Sequence, residues 1–492
     1  MRLKISLSLI CFLSAIKVFS IDVIVNNHLY QQYHREQIEP LLYTVDPDDG
    51  TTRGISLDEI LPPFYDAYSL TVKSTNGDIT WSEGNLANSF SKGYLIIHDD
   101  AYSFSFDGRC VQDVVSIEIL GEVIENRSLE VWVSWEGVRL LKKEIERYAE
   151  LHNTDIRVTE VPKTSSKLIS VLRGGGTPPD IIMVQSSDIP SLVLARALQQ
   201  LGYIDTERFD RRGIEAFQTG NNLWGIPFYC DPQVVFINRK IISDPPPFNW
   251  TLKDLEDMSA ILLRRGITPL AWNAYSASWL IPFQIAFGKD RLVEPDGSIT
   301  INDRPSIEAL DYVLSLQEAG YLKVLERDAM VSLFVSGKVA MIFSGSYSIP
   351  GFREIGLDFA VLPYPLHHDT GRPVAPLLDY KALAITRRTR HPVLSRRLIE
   401  YLTGFGVQQR FPSALSKLAS NSGAAEISSN STAYFSSLAE SSARGIPIPP
   451  EKAYGVYKNT MWSLLRFAFT GQLTPEEVLK KGQDIINRKL TP

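Results

Sequence analysis

Residues 129–184 constrain the fold more than any other stretch, because they read strand, helix, strand, helix, turn, strand. Leu129, Val131 and Val133 alternate with Glu130, Trp132 and Ser134, the period-two pattern of a half-buried strand. Val138, Leu141, Ile145 and Tyr148 then fall at helical spacing, with Lys142, Lys143, Glu146 and Arg147 on the opposite face. Ile156, Val158 and Val161 restart a strand, and Leu168, Val171 and Leu172 mark a second helix. Three glycines, Gly174 to Gly176, with Pro178 and Pro179 break the chain before the apolar run 181–184. Strands alternating with helices imply a parallel sheet with right-handed crossovers. Ligands of such sheets gather outside the carboxyl ends of the strands. That places Trp135, Glu136 and the residues after Val184 beside one crevice. The glycine run lacks the Gly-Lys-Ser/Thr ending of a phosphate loop and leads into a strand, so it reads as a turn.

The rest of the 492 residues leaves room for further domains, two to four in all. Residues 1–20 have the form of a secretory signal: Arg2 and Lys4, then a short apolar core, then modest side chains at Val18, Phe19 and Ser20. Its removal makes the net charge of -6 three units more negative. The protein is expected to be exported, soluble after that cleavage, and monomeric. An acidic chain without a basic patch argues against a nucleic-acid partner. Cys110 and Cys230 are too few for a disulfide scaffold; they pair once or sit free. No cysteine–histidine cluster suggests zinc, and no cofactor or metal is expected. His367, His368 and Asp369 lack a third ligand beside them and read as a surface loop. Asp46, Asp48 and Asp49 miss the spacing of a calcium loop.

Residues 21–127 form a small, mostly β domain. Strand-like runs lie at 70–72, 94–97 and 114–119, with turns at Asn76-Gly77-Asp78 and Asp107-Gly108-Arg109. Ser56 and Glu59 have capping-box spacing, so a helix is expected to start there. These pieces together resemble small cofactor-free relatives of the sulfite-oxidase molybdopterin-binding fold. The resemblance implies a shape and no redox activity, since Cys110 lies just before the last strand rather than in the cofactor loop.

From residue 128 to 492 the pattern continues without a second linker. Five stretches carry a likeness in their order and spacing: the opening strand with Trp135-Glu136; Gly176-Thr177-Pro178-Pro179-Asp180; Leu223-Trp224-Gly225-Ile226-Pro227-Phe228 with Phe236-Ile237-Asn238-Arg239; Phe334 to Met341 with Ser344-Gly345-Ser346-Tyr347; and Leu473-Thr474-Pro475-Glu476-Glu477. They resemble the extracellular solute-binding proteins of ABC importers, in the maltose-binding-like carbohydrate group. The resemblance implies an α/β, two-lobed periplasmic-binding-protein-like fold of type II, preceded by the small β-rich domain. Lobe 1 is expected at about 128–230 and 364–411, and lobe 2 at about 235–361 and 415–492. Crossovers are then expected near 230–235, 361–364 and 411–415. The Ser- and Ala-rich stretch 413–442 reads as mobile or weakly helical.

The resemblance also implies a mono- or oligosaccharide ligand held between the lobes, with permease subunits in the membrane as partners. A sugar needs aromatic platforms with carboxylate, amide and hydroxyl groups. Trp135 and Glu136 after the first strand, Gln185, Ser187 and Asp188 after the third, and Asp231 at the first crossover are candidates. Trp272, Tyr275, Trp279, Tyr347, Asp379, Tyr380, Tyr454 and Tyr457 complete the set. The family's aromatic platform at the Val184 position is missing, which points to a different or smaller sugar. A receptor feeding a membrane sensor is the alternative function. An exported carbohydrate-active enzyme using Glu136 and Asp231 is a third, and no catalytic residue is assigned.

Overall fold

In a computed structural model the described residues are 20–45, 52–98, 101–125, 128–135, 137–202, 204–429 and 431–491. Residues 1–19 of the expected leader, the acidic turn at 46–50 and Glu136 lie outside them. The chain divides into two compact units, Met1–Glu125 and Asn126–Pro492.

The first unit contains two five-stranded sheets. Phe64–Ser74 and Val114–Val123 are the long central strands of one, paired antiparallel. Their inward residues, Leu70, Val72, Ile117 and Ile119, are fully buried, as period two requires. Tyr94–Ile97 and Tyr102–Phe106 belong to the other sheet. The helix expected after Ser56 is a single 3-10 turn, Leu57–Glu59. The Ser56 hydroxyl turns to Asp58 instead of capping the turn, and Glu59 is buried, so no helix propagates.

In the second unit, Ser128–Val133 lies between Asp155–Glu160 and Ile181–Gln185, all parallel. Leu377–Ile385 runs antiparallel beside Ile181–Gln185. The strand Ile226–Asn238 follows and joins two sheets. Its first half pairs with Leu377–Ile385, and its second half pairs with Val339–Gly345 and Phe359–Leu362. Thr268–Trp272 and Leu322–Val324 complete the second lobe's sheet in parallel. The amphipathic helix Val138–His152 buries Val138, Leu141, Ile145 and Tyr148, the face that the sequence marks. It starts at Gly137, whose φ is +82°; a Cβ there would meet Leu415 Cδ1 at 2.3 Å, so only glycine fits. The last helix, Pro475–Leu490, begins with a capping box made by Thr474 and Glu477.

The return to the first lobe comes later than 361–364. Segment 363–376 stays with the second lobe: Trp250 Nε1 donates to the Pro363 carbonyl at 2.9 Å, and Arg372 reaches the Lys289 carbonyl at 2.8 Å. Val374 and Ala375 are buried in that lobe's core. The chain crosses at Leu377 and Leu378, where pairing with Pro232 begins. The stretch expected to be mobile or weakly helical forms two helices, Ser422–Ser429 and Ala433–Arg444. Its small hydroxyls find buried carbonyls, Ser437 on Val361 at 2.6 Å and Ser441 on Gln233 at 2.7 Å. Arg212 of the first lobe donates to the carbonyls of Ser442 and Gly445, and Arg444 to that of Phe248. Helix Ala433–Arg444 is thereby tied to both lobes behind the crossing strands.

Candidate ligand-binding cleft

The strand ends that cross between the lobes hold two lysine–aspartate pairs side by side. Asp231 and Asp379 are opposite each other in register on adjacent antiparallel strands. Asp231 accepts from the Ser346 hydroxyl at 2.6 Å and from Lys417, whose side chain is 0% exposed. Asp379 Oδ2 accepts from Lys381 Nζ at 2.6 Å. Asp379 Oδ1 is buried with no hydrogen-bond partner among the described residues. A buried acceptor left without a donor costs about 1–3 kcal/mol, so this oxygen suits a ligand hydroxyl.

Beside these pairs is a cavity of about 400 Å³, in the size range of small-molecule sites. Gln185 and Ser187 line it from the first lobe. Ser276, Ser278, Trp279, Tyr347, Tyr454, Lys458, Asn459 and Trp462 line it from the second, and Asp231, Gln233, Leu377 and Asp379 from the crossing strands. The Tyr347 ring folds back over Gly345, where a Cβ would meet it at 2.2 Å. Burial pushes the Tyr454 hydroxyl up to about 12, so it stays protonated and is hydrogen-bonded to Ser278 at 3.0 Å. The wall therefore offers aromatic faces, amides, hydroxyls and one unpaired carboxylate oxygen, a mixture that suits a polyhydroxylated molecule.

A family model for bacterial extracellular solute-binding proteins matches residues 143–435. The chain belongs to that family. This solute-binding protein is 22% identical over 242 residues to a maltodextrin-binding protein of Bacillus subtilis, covering 46% of its own length and 57% of the relative's. A galactooligosaccharide-binding protein of the same organism is 23% identical over 294 residues, 56% of this chain and 68% of that one. Among solved structures, an extracellular solute-binding protein of Staphylococcus aureus in complex with maltose superposes with a TM-score of 0.65 at 18% identity. That superposition covers 75% of this chain and 100% of the other, which establishes the two-lobed fold. Among the described residues, no helix is long and apolar enough to cross a membrane, and no group of three metal-ligating side chains occurs.

Of the residues expected in the solute-binding protein's cleft, Gln185, Ser187, Asp231, Trp279, Tyr347, Tyr454 and Asp379 line the cavity. Trp135 does not line it; Lys381 Nζ is 4.8 Å from its ring centre. The others are placed elsewhere. Trp272 is 1% exposed and stacks on Phe283 in the second-lobe core. Tyr275 packs edge-on against Phe469 beneath Arg466. Asp188 accepts from the Ser165 hydroxyl at 2.6 Å outside the cavity. Strand alternation lets only one of Asp379 and Tyr380 face the cleft; Tyr380 points to the other side and donates to Asp210 at 2.7 Å. Tyr457 is fully buried, on the core face of the helix Lys452–Phe469. Val184 is also core, so its lack of an aromatic ring does not bear on the ligand.

Sequence reasoning missed Gln233, Ser276, Ser278, Lys458, Asn459 and Trp462. A signal for part of this was present: Tyr454, Lys458 and Trp462 recur every four residues, one stripe along a helix. Cys110 is free and exposed, and Cys230 is free and buried. Burial, then the neighbouring Asp231 charge, pushes the Cys230 thiol well up, so it stays protonated and inert. A maleimide added to the native chain lacking residues 1–20 should label Cys110 promptly and Cys230 only after denaturation, as read by peptide mass mapping. Equal labelling of both would contradict the burial described.

Proposed function

We propose that the chain captures a carbohydrate between its lobes and delivers it to an ABC importer, after export and removal of residues 1–20. The observation that carries this reading is the cavity lined from both lobes by Trp279, Tyr347, Tyr454 and Trp462 together with Gln185, Gln233 and the unpaired Asp379 Oδ1. The names of the relatives, which bind maltodextrin and galactooligosaccharide, favour an oligosaccharide. A ligand that touches both lobes stabilises the closed arrangement through its extra contacts there, and a permease would read that form. A non-catalytic role fits Asp231, which Lys417 and Ser346 hold in place. The separate β-rich unit favours a second reading, a receptor that presents the loaded protein to a membrane sensor.

A thermal-shift screen with mono- and oligosaccharides, peptides and inorganic anions tests the ligand class. A sugar at a hundred times its Kd should stabilise the native state by about 2.7 kcal/mol. Shifts by peptides or anions alone would overturn the carbohydrate assignment.

A further inference from the structure

At the end of the first lobe away from the cleft is a second cavity, of about 470 Å³. Four arginines surround it: Arg173, Arg196, Arg387 and Arg388. They come from three separate segments. Arg173 ends the helix Thr164–Arg173, Arg196 follows the short helix Ile189–Leu194, and Arg387 and Arg388 follow the strand Leu377–Ile385. Lys381 pairs with Gln185 near the cleft while Ile385 pairs with Ile181, so the arginines lie beyond the distal edge of the sheet. Ile169, Leu172 and Ala195 supply an apolar floor.

None of the four guanidinium groups has a hydrogen-bond or ion-pair partner among the described residues. The nearby acids are engaged elsewhere. Asp180 accepts from the Glu130 amide at 2.9 Å and from the Thr389 hydroxyl. Glu130 accepts from Thr159 and Trp132 and pairs with Arg157. Arg196 adopts φ +50°, a left-handed backbone that is unfavourable for a non-glycine residue. Backbone bonds hold that conformation, Ala197 N on the Leu192 carbonyl and Arg387 N on the Ala197 carbonyl, both at 2.9 Å. Beside Ala195 stands Leu194, 85% exposed, the most exposed large hydrophobic residue of the described chain. Four guanidinium groups without a protein counter-charge make this end of an acidic chain locally positive, which attracts an anionic partner. Guanidinium forks match phosphate oxygens bidentately, and the exposed leucine and apolar floor match acyl chain beneath a headgroup.

We propose that this basin docks the first lobe on an anionic phospholipid surface, the arginines on headgroup phosphates and Leu194 in the outer acyl layer. Basic side chains near such a surface each strengthen binding by roughly fivefold, and salt screens them.

Co-sedimentation of the full-length chain without residues 1–20 tests this with vesicles of phosphatidylcholine alone and of phosphatidylcholine with phosphatidylglycerol. Binding should favour the anionic vesicles by tenfold or more and fall sharply in high salt. The variant R173Q/R196Q/R387Q/R388Q should lose that preference, and Leu194→Ser should weaken it several-fold. All five positions are exposed, so thermal melting should match the parent and show that both variants fold. Equal binding to neutral vesicles, no binding, or unchanged binding by the fourfold variant would overturn the proposal. So would a thermal shift by inorganic phosphate that the fourfold variant loses, in the absence of any vesicle binding, which would make the basin a site for free phosphate.

Discussion

Asp231→Ala should destabilise the two-lobed unit by about 3–5 kcal/mol, measured by urea unfolding. Lys417 has no exposed side-chain surface, and its Nζ is held on Asp231. Removing the carboxylate takes a counter-charge away from a buried ammonium and strips Ser346 of its acceptor. The double variant Asp231→Leu/Lys417→Met should recover most of that stability, because it removes the charge along with its partner. Recovery matters for interpretation: it separates the cost of an orphaned charge from the cost of altering the crossing strand itself. A single variant as stable as the parent would show that Lys417 reaches water or another acid.

Two tryptophans seven residues apart should fail in opposite ways. Trp279 lines the cavity and is only half-buried, so Trp279→Ala should weaken sugar binding by about thirtyfold or more while the unfolding midpoint changes little. Trp272 stacks on Phe283 and packs tilted against Phe343 in the core. Trp272→Ala should cost about 3–5 kcal/mol of stability, and whatever protein remains folded should bind normally. Titration calorimetry beside urea unfolding reads both quantities. If Trp279→Ala leaves affinity unchanged, the cavity described is not where the ligand sits.

These residues also show what could be read before the fold was known. The strand–helix alternation at 129–184 was legible because period two and period 3.6 are written in consecutive side chains. The capping box at Thr474 and Glu477 was legible for the same reason: both partners lie within four residues. Asp231 was reachable as a candidate, but its partner Lys417 is 186 positions away in a stretch of serines and alanines. No local pattern announces a lysine that will be buried. Segment 364–376 was expected in the first lobe because nothing in its sequence says that it will stay packed with the second. The choice between Tyr454 and Tyr457 depended on helix phase, and the stripe through Lys458 and Trp462 would have decided it. Trp272 and Trp279 look alike in sequence, since an aromatic side chain serves equally as core and as platform.

The strand Ile226–Asn238 carries a consequence for how such a sequence can drift. All thirteen of its residues are buried, including Asp231, Gln233 and Asn238. Half of them pack in one lobe and half in the other, and a close-packed interior registers changes of even one methylene. A strand with a solvent face can vary at every second position. This one has no such position, so mutation is screened thirteen times in succession. Neutral change must accumulate elsewhere, on exposed helical faces such as Lys143 and Glu146 or in turns such as Gly220 and Asn221. Two chains of this architecture can share about a fifth of their residues and still be strung on the same unbroken thread.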